Sequence, residues 1–217
     1  MFSMSGPFFL YGGFILLYIL FLAWYGGRGK PMNSAEIAQR LAAIQAVSGG
    51  KPQGGDQKPG EVIEELRQLA ASDDGNEFYM LNLINFRAKA LYPEGSGYGD
   101  NPKAADARYT KAFLPYLFKY GGLPLFAGNV SGRFIDEQGD IHWQRTALVR
   151  YRSRRDLLKM AEDIAPLDVI IHKWASIEKT QVFPVTPLLN LFSVRILVAA
   201  LLAGLAVTLR WVFFHAS

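Results

Sequence analysis

The apolar positions of this chain gather at its two ends. Residues 7–26 (PFFLYGGFILLYILFLAWYG) and 188–214 (LLNLFSVRILVAALLAGLAVTLRWVFF) are apolar around the whole helical circumference, whereas the stretch between them mixes polar and apolar positions as a water-facing domain does. About 20 helical residues cross the hydrocarbon core of a bilayer, and both segments have that length with few charges. The pattern therefore predicts two transmembrane helices. Arg195 and Arg210 fall towards the ends of the second segment, where long basic side chains reach the headgroups. A cleaved signal peptide is the alternative for the first segment, but Met1–Gly6 lacks the basic residues such a peptide carries.

Between the ends, residues 33–47 form an amphipathic helix, capped by Asn33 or Ser34, with Ile37, Leu41, Ile44 and Val47 at helical spacing. It suits either the membrane surface or the face of a domain. SGGKPQGGDQKPG (48–60) has the composition of a tether, and a second helix over 61–71 places Val62, Ile63, Leu66 and Leu69 on one face. From Glu77 the periodicity changes. It predicts a strand at 77–86, a helix at 102–121 stopped by glycine, strands at 123–135 and 141–152 about the turn DEQGD, a helix at 153–163 capped by Ser153, and a strand at 174–185. This βαββαβ order predicts an α+β, ferredoxin-like domain with helices on one face of an antiparallel sheet. The other face needs cover, for which the pairing of two sheets is a common solution. The expected domains are 1–27, first transmembrane helix; 28–60, amphipathic helix and Gly/Pro linker; 61–185, α+β domain; and 186–217, second transmembrane helix.

YMLNLINFR (79–87), Ala107–Arg108–Tyr109, the glycines 121–122 before LFAGNVSG, ALVRYRSRRDLLKM (147–160) and HKWASIEKTQVFP (172–184) carry a family likeness. In order and spacing they resemble a family of small bacterial α+β barrel domains of unknown function, related to the dimeric α/β barrel superfamily that contains the antibiotic-biosynthesis monooxygenases. The resemblance spans residues 60–185 and implies a dimeric α/β barrel type of fold. It implies no particular chemistry, because that family has no agreed activity and a fold does not dictate one.

Charge sets the expected orientation. Arg28, Lys30 and Arg40 follow the first span and Lys173, Lys179 and Arg195 precede or open the second, with Arg210 beyond it. Basic residues collect on the cytoplasmic side, so the middle faces the cytoplasm and both termini the periplasm of a bacterial inner membrane. The net charge of +4 is spread along the domain without a basic stripe, which argues against nucleic acid as a partner. The chain has no cysteine, which removes disulfides, thiolate nucleophiles and Cys-ligated metal. Its three histidines, His142, His172 and His215, stand apart without ligand spacing, so neither a metal nor a cofactor is expected.

Candidate residues are few. His172, just before the last strand, suits a general base or a haem ligand, or plainly a helix cap that favours the dipole. Asn82 and Asn85 interrupt an apolar strand on opposite faces, each a backbone tie or a substrate-orienting amide. Tyr109, with Tyr116, Arg133, Arg145, Arg150 and Trp174, could form an aromatic and basic cavity for an anionic or quinone-like molecule. The plain alternative is core packing, with the arginines solvated or paired with Asp136, Glu137 and Glu178. YPEGSGYGDNP (92–102) lacks the order of a phosphate loop and suits an exposed one. In the second span Ala199, Ala203 and Ala206, with Gly204 adjacent, form a small-residue face on which another helix packs closely in lipid.

These features lead to an expectation of a non-catalytic accessory or assembly subunit, partnered by the bilayer and by other membrane subunits or a second copy. The alternative is a membrane-tethered, cofactor-independent monooxygenase or isomerase, or a binding domain for a lipophilic small molecule.

Overall fold

The structure is a computed structural model that describes residues 5–27, 29–48, 59–135, 142–188 and 193–214. The DEQGD turn with Asp136 and Glu137, most of the Gly/Pro tether, Arg28 and His215 lie outside the described residues. The element order is α1 (Ser5–Tyr25), α2 (Ser34–Ser48), α3 (Pro59–Ala71), β1 (Phe78–Phe86), α4 (Pro102–Lys119), β2 (Leu123–Asn129), β3 (Arg145–Tyr151), α5 (Arg154–Ile164), α6 (Val169–Ser176), β4 (Ile177–Val185) and α7 (Val194–Phe214). The chain divides into two compact units, one of Met1–Gly26 with Pro187–Ser217 and the other of Gly27–Thr186.

The first unit is an antiparallel pair of helices, α1 and α7, each long and apolar enough to cross a membrane. Buried and half-buried positions on α1 recur as Tyr11, Phe14, Tyr18, Phe21 and Tyr25, and on α7 as Arg195, Ala199, Leu202, Ala206 and Leu209. Steps of three and four residues are the seam of a coiled-coil type contact. Polar contacts pin its two ends. The Tyr18 hydroxyl donates to the Arg195 carbonyl at 3.3 Å, the Arg195 guanidinium lies 4.9 Å from the centre of the Tyr25 ring, and Arg210 Nη1 donates to the Tyr11 hydroxyl at 3.1 Å. Outside the seam, Phe8, Phe9, Ile15, Leu16, Ile196, Leu201 and Trp211 are exposed, and almost none of either span is buried. A core helix of a water-soluble protein shows the reverse.

In the second unit the four strands form an antiparallel sheet in the order β2-β3-β1-β4. Local chemistry sets its helix ends. The Asn101 side chain accepts from the Ala104 amide at 3.1 Å with Pro102 in the first turn of α4. That helix stops at Gly121, whose φ of +68° suits a residue without Cβ, and the Gly121 and Gly122 amides close on the Phe118 and Leu117 carbonyls. Ser153 caps α5, its hydroxyl accepting from the Asp156 amide at 3.1 Å and donating to the Asp156 carboxylate at 2.7 Å.

The core lies between the sheet and the helices. Phe78 stacks on its cross-strand partner Tyr151 at 5.4 Å, and Leu117, Leu157, Leu158 and Met160 pack with them. Helices α2 and α3 belong to the same core through Leu41, Ile44, Ile63 and Ala70. Glu36–Arg155 and Arg40–Glu162 ion pairs, at 2.8 and 2.9 Å, fasten α2 to α5. Of the two settings open to this amphipathic helix, the domain face is the one it occupies.

The opposite sheet face carries a row of apolar side chains in register across all four strands, Phe126–Leu148–Leu81–Phe183. Phe126 is 53 % and Phe183 43 % exposed.

Three elements differ from the sequence pattern. Strands β2 and β3 are shorter than 123–135 and 141–152, because their ladder ends at the bond from the Val130 amide to the Gln144 carbonyl. The segment before the last strand is helical through Ser176, so Trp174 lies on α6 rather than opening a strand. Its buried positions, Val169, His172, Ala175 and Ser176, recur at three to four residues, a period that DVIIHKWAS is too short to declare.

Candidate functional site

Helix α6 hangs beneath the helix-bearing face of the sheet and presents its two sides to different surroundings. Lys173 and Trp174 face a cleft of about 610 Å³ between strand residues Met80, Thr180 and Val182 and helices α3, α4 and α5. They also line a smaller pocket of about 260 Å³ reaching Ile44 of α2 and Ile164 of α5. Val62, Leu66, Ala161, Ile164, Ile170, Lys173 and Trp174 are common to both, so the lysine and tryptophan stand where the two spaces meet. The Lys173 Nζ rests 4.9 Å from the Trp174 ring centre. Burial pushes this amine below the ordinary lysine range, with Glu65 pulling the other way.

Tyr109 lines the cleft from α4, stacked on Phe113 at 5.2 Å. Burial, with smaller contributions from Tyr151 and Asp106, raises its hydroxyl above the usual range and keeps it a neutral donor.

His172 points elsewhere. The Tyr92 hydroxyl meets its Nδ1 at 2.9 Å, and the Tyr98 ring meets it edge-on at 4.8 Å. Arg108 lies 5.2 Å from the Tyr98 ring centre, its Nη1 buried without a hydrogen-bond acceptor. The loop that brings both tyrosines is tied down at its base, the Arg87 amide to the Ser176 carbonyl and the Leu91 amide to the Ala175 carbonyl, each at 2.9 Å. A tyrosine hydroxyl thus orients the ring. His172 is buried within α6 and does not cap a preceding helix.

Burial, then Arg108, holds the His172 pKa below its ordinary 6.5, while Asp168 opposes them. The unfolded chain then takes up a proton near that value which the folded chain resists, so stability is complete above it and falls as the pH drops through it. We expect the melting temperature of the full chain to fall from about pH 7 to about pH 5 more steeply than that of His172→Gln, about 1.4 kcal/mol for each unit of depression. Parallel profiles would remove His172 as the cause.

The remaining candidates are distributed. The Asn82 Nδ2 donates to the carbonyls of Met80 at 3.0 Å and Ala147 at 3.4 Å, a tie within the sheet. Asn85, three residues on, takes the opposite face. Arg145 pairs with Asp106 and lies 4.7 Å from the centre of the Phe86 ring. Arg150 is held by Glu77 and the Gly121 carbonyl, Arg133 lies 3.3 Å from His142 in the β2–β3 connection, and Tyr116 packs on the core. Of the proposed aromatic and basic set, the cleft therefore gathers Tyr109 and Trp174. On α7, Ala199 and Ala206 join the seam towards α1, Ala206 being 3 % exposed, while Ala203 and Gly204 face outward. Among the described residues no group of histidines and carboxylates could hold a metal ion. Lys173 escaped the sequence pattern except as a flanking charge; the signal present was a lysine inside the short apolar run VIIHKWA.

No protein-family model matches the chain, and no curated protein does. Solved structures similar to it include the methylated RPA0582 protein, 25% identical with a TM-score of 0.54 over 64% of this chain and 98% of that one. The RPA0582 protein of unknown function from Rhodopseudomonas palustris is likewise 25% identical, with a TM-score of 0.53 over 63% and 99%.

Proposed function

We propose that this chain is a two-span membrane protein acting as an accessory or assembly subunit of a membrane complex. In this reading α1 and α7 dock in the bilayer and carry the α+β domain on the cytoplasmic side of a bacterial inner membrane, with both termini periplasmic. The observation that carries it is the division of labour in the helix pair: each helix spends one seam on the other and turns its remaining apolar faces outward. Water does not tolerate that much contiguous apolar surface, whereas lipid and neighbouring membrane helices match it. Lys30, Arg40, Lys173, Lys179 and Arg195, set against Arg210 at the far end, support the orientation.

The strand order, all antiparallel with α4 and α5 in the two crossovers, supports a ferredoxin-like domain of the dimeric α/β barrel type, to which α6 is an addition. The Phe126–Leu148–Leu81–Phe183 row is the surface that a second copy's sheet would cover. Purification from native membranes in mild detergent is expected to bring down a second membrane protein at constant stoichiometry. A lone monomer or homodimer would sink the accessory role.

The cleft favours a second, compatible reading, in which the domain holds a lipophilic small molecule. It has the size and the mostly apolar lining with a few polar groups that such sites share.

A further inference from the structure

Resting on that second reading, we infer that the ligand of the cleft is an amphiphile with a carboxylate head, read by the Lys173 ammonium, with its tail in the apolar pocket between α2, α3, α5 and α6. Three observations converge on this chemistry. The smaller pocket is lined mainly by apolar side chains such as Ile44, Leu66, Ile164 and Ile171, with Asp168 and Ser48 also in its wall, and holds, at about 30 Å³ per heavy atom, a chain of roughly nine carbons. The opening of that pocket into the larger cleft is occupied by a cation, Lys173, which rests on the Trp174 ring and forms no salt bridge among the described residues. Glu65 acts on it only through Coulombic attraction.

A cation at an apolar junction with no anion against it is costly, and a ligand that supplies the anion recovers part of that cost on binding. Burial draws the Lys173 amine below its ordinary range, and a carboxylate beside it favours the charged form. An alcohol of the same length fills the same space without that gain, which separates recognition of the head from mere hydrophobic fit. Tyr109, which lines the same cleft from α4, supplies a hydroxyl donor for the second carboxylate oxygen.

The test is equilibrium dialysis of labelled decanoate and decanol against the full chain in lipid nanodiscs, with empty nanodiscs subtracted. Wild type is expected to bind decanoate about tenfold more tightly than decanol, equivalent to about 1.4 kcal/mol. Lys173→Arg keeps that preference; Lys173→Met loses it while still binding decanol, which shows its cleft intact. Should Lys173→Met bind neither probe, Lys173→Gln decides by the same comparison. Equal affinity of wild type for acid and alcohol, or a preference that survives in Lys173→Met, overturns the role of Lys173 and leaves the cleft as a lipophilic site. Absence of saturable binding of either probe by wild type overturns the small-molecule reading itself, and this inference with it.

Discussion

Arg150→Met is expected to destabilise the α+β unit by about 3 kcal/mol, read as a lower denaturation midpoint of the full chain in detergent. Arg150 is fully buried on β3, opposite Tyr79 of β1 and Leu123 of β2. Its Nε and Nη2 donate to Glu77 Oε2 at 3.1 and 2.5 Å, and its Nη1 donates to the Gly121 carbonyl at 2.7 Å. One guanidinium therefore joins the chain entering β1 to the turn that ends α4 and starts β2. Methionine fills much of the volume but withdraws the guanidinium donors from Glu77 Oε2 and from the Gly121 carbonyl, leaving Glu77 the Tyr79 hydroxyl on its other oxygen, and that loss outweighs the retained packing. Glu77 keeps 22 % side-chain exposure and can recover some hydration, which places the effect at the lower end of the range for broken buried pairs. Lysine at this position keeps the charge without the fork and should fall between the two. The Glu77→Gln, Arg150→Met double variant should lose less than the sum of the singles, because both remove one interaction. A loss under about 1 kcal/mol would mean that Arg150 does not tie these elements together.

What the sequence declares, it declares through local chemistry. Asn101–Pro102, Ser153 and the glycines at 121–122 announce helix ends because a cap or a positive φ is satisfied within a few residues. The two long apolar helices near the termini are equally plain, since their apolar length needs no partner to be recognised. Contacts between distant segments leave no such mark. Tyr92 and Tyr98 sit in a loop whose glycines suggest only exposure, and they reach His172 because the loop base is sewn to α6 by backbone bonds. Lys173 becomes chemically distinct only once α2, α3 and α5 have closed around α6. Arg150 and Arg145 look alike in sequence as strand arginines, and the partners that bury one and half-bury the other come from elements tens of residues away. Asn82 stays open in the sequence between a backbone tie and a substrate-orienting amide, and only the neighbouring strands supply the two carbonyls to which it donates.

The second large effect concerns the helix pair. Ile15 and Leu201 lie near the middle of α1 and α7 and are 61 % and 62 % exposed, away from the seam, so changing them leaves the contact between the helices untouched. An arginine near a span's centre costs about 2.5–3.5 kcal/mol of membrane insertion, and one in each helix should prevent stable anchoring. That α1 and α7 hold this protein in a bilayer is therefore tested most directly by alkaline washing of membranes followed by flotation, comparing wild type with the Ile15→Arg, Leu201→Arg double variant. Wild type is expected to float with the vesicles and the double variant to stay behind. Wild type stripped from the membranes by the wash, or a double variant that floats as completely as wild type, would contradict membrane anchoring by these helices.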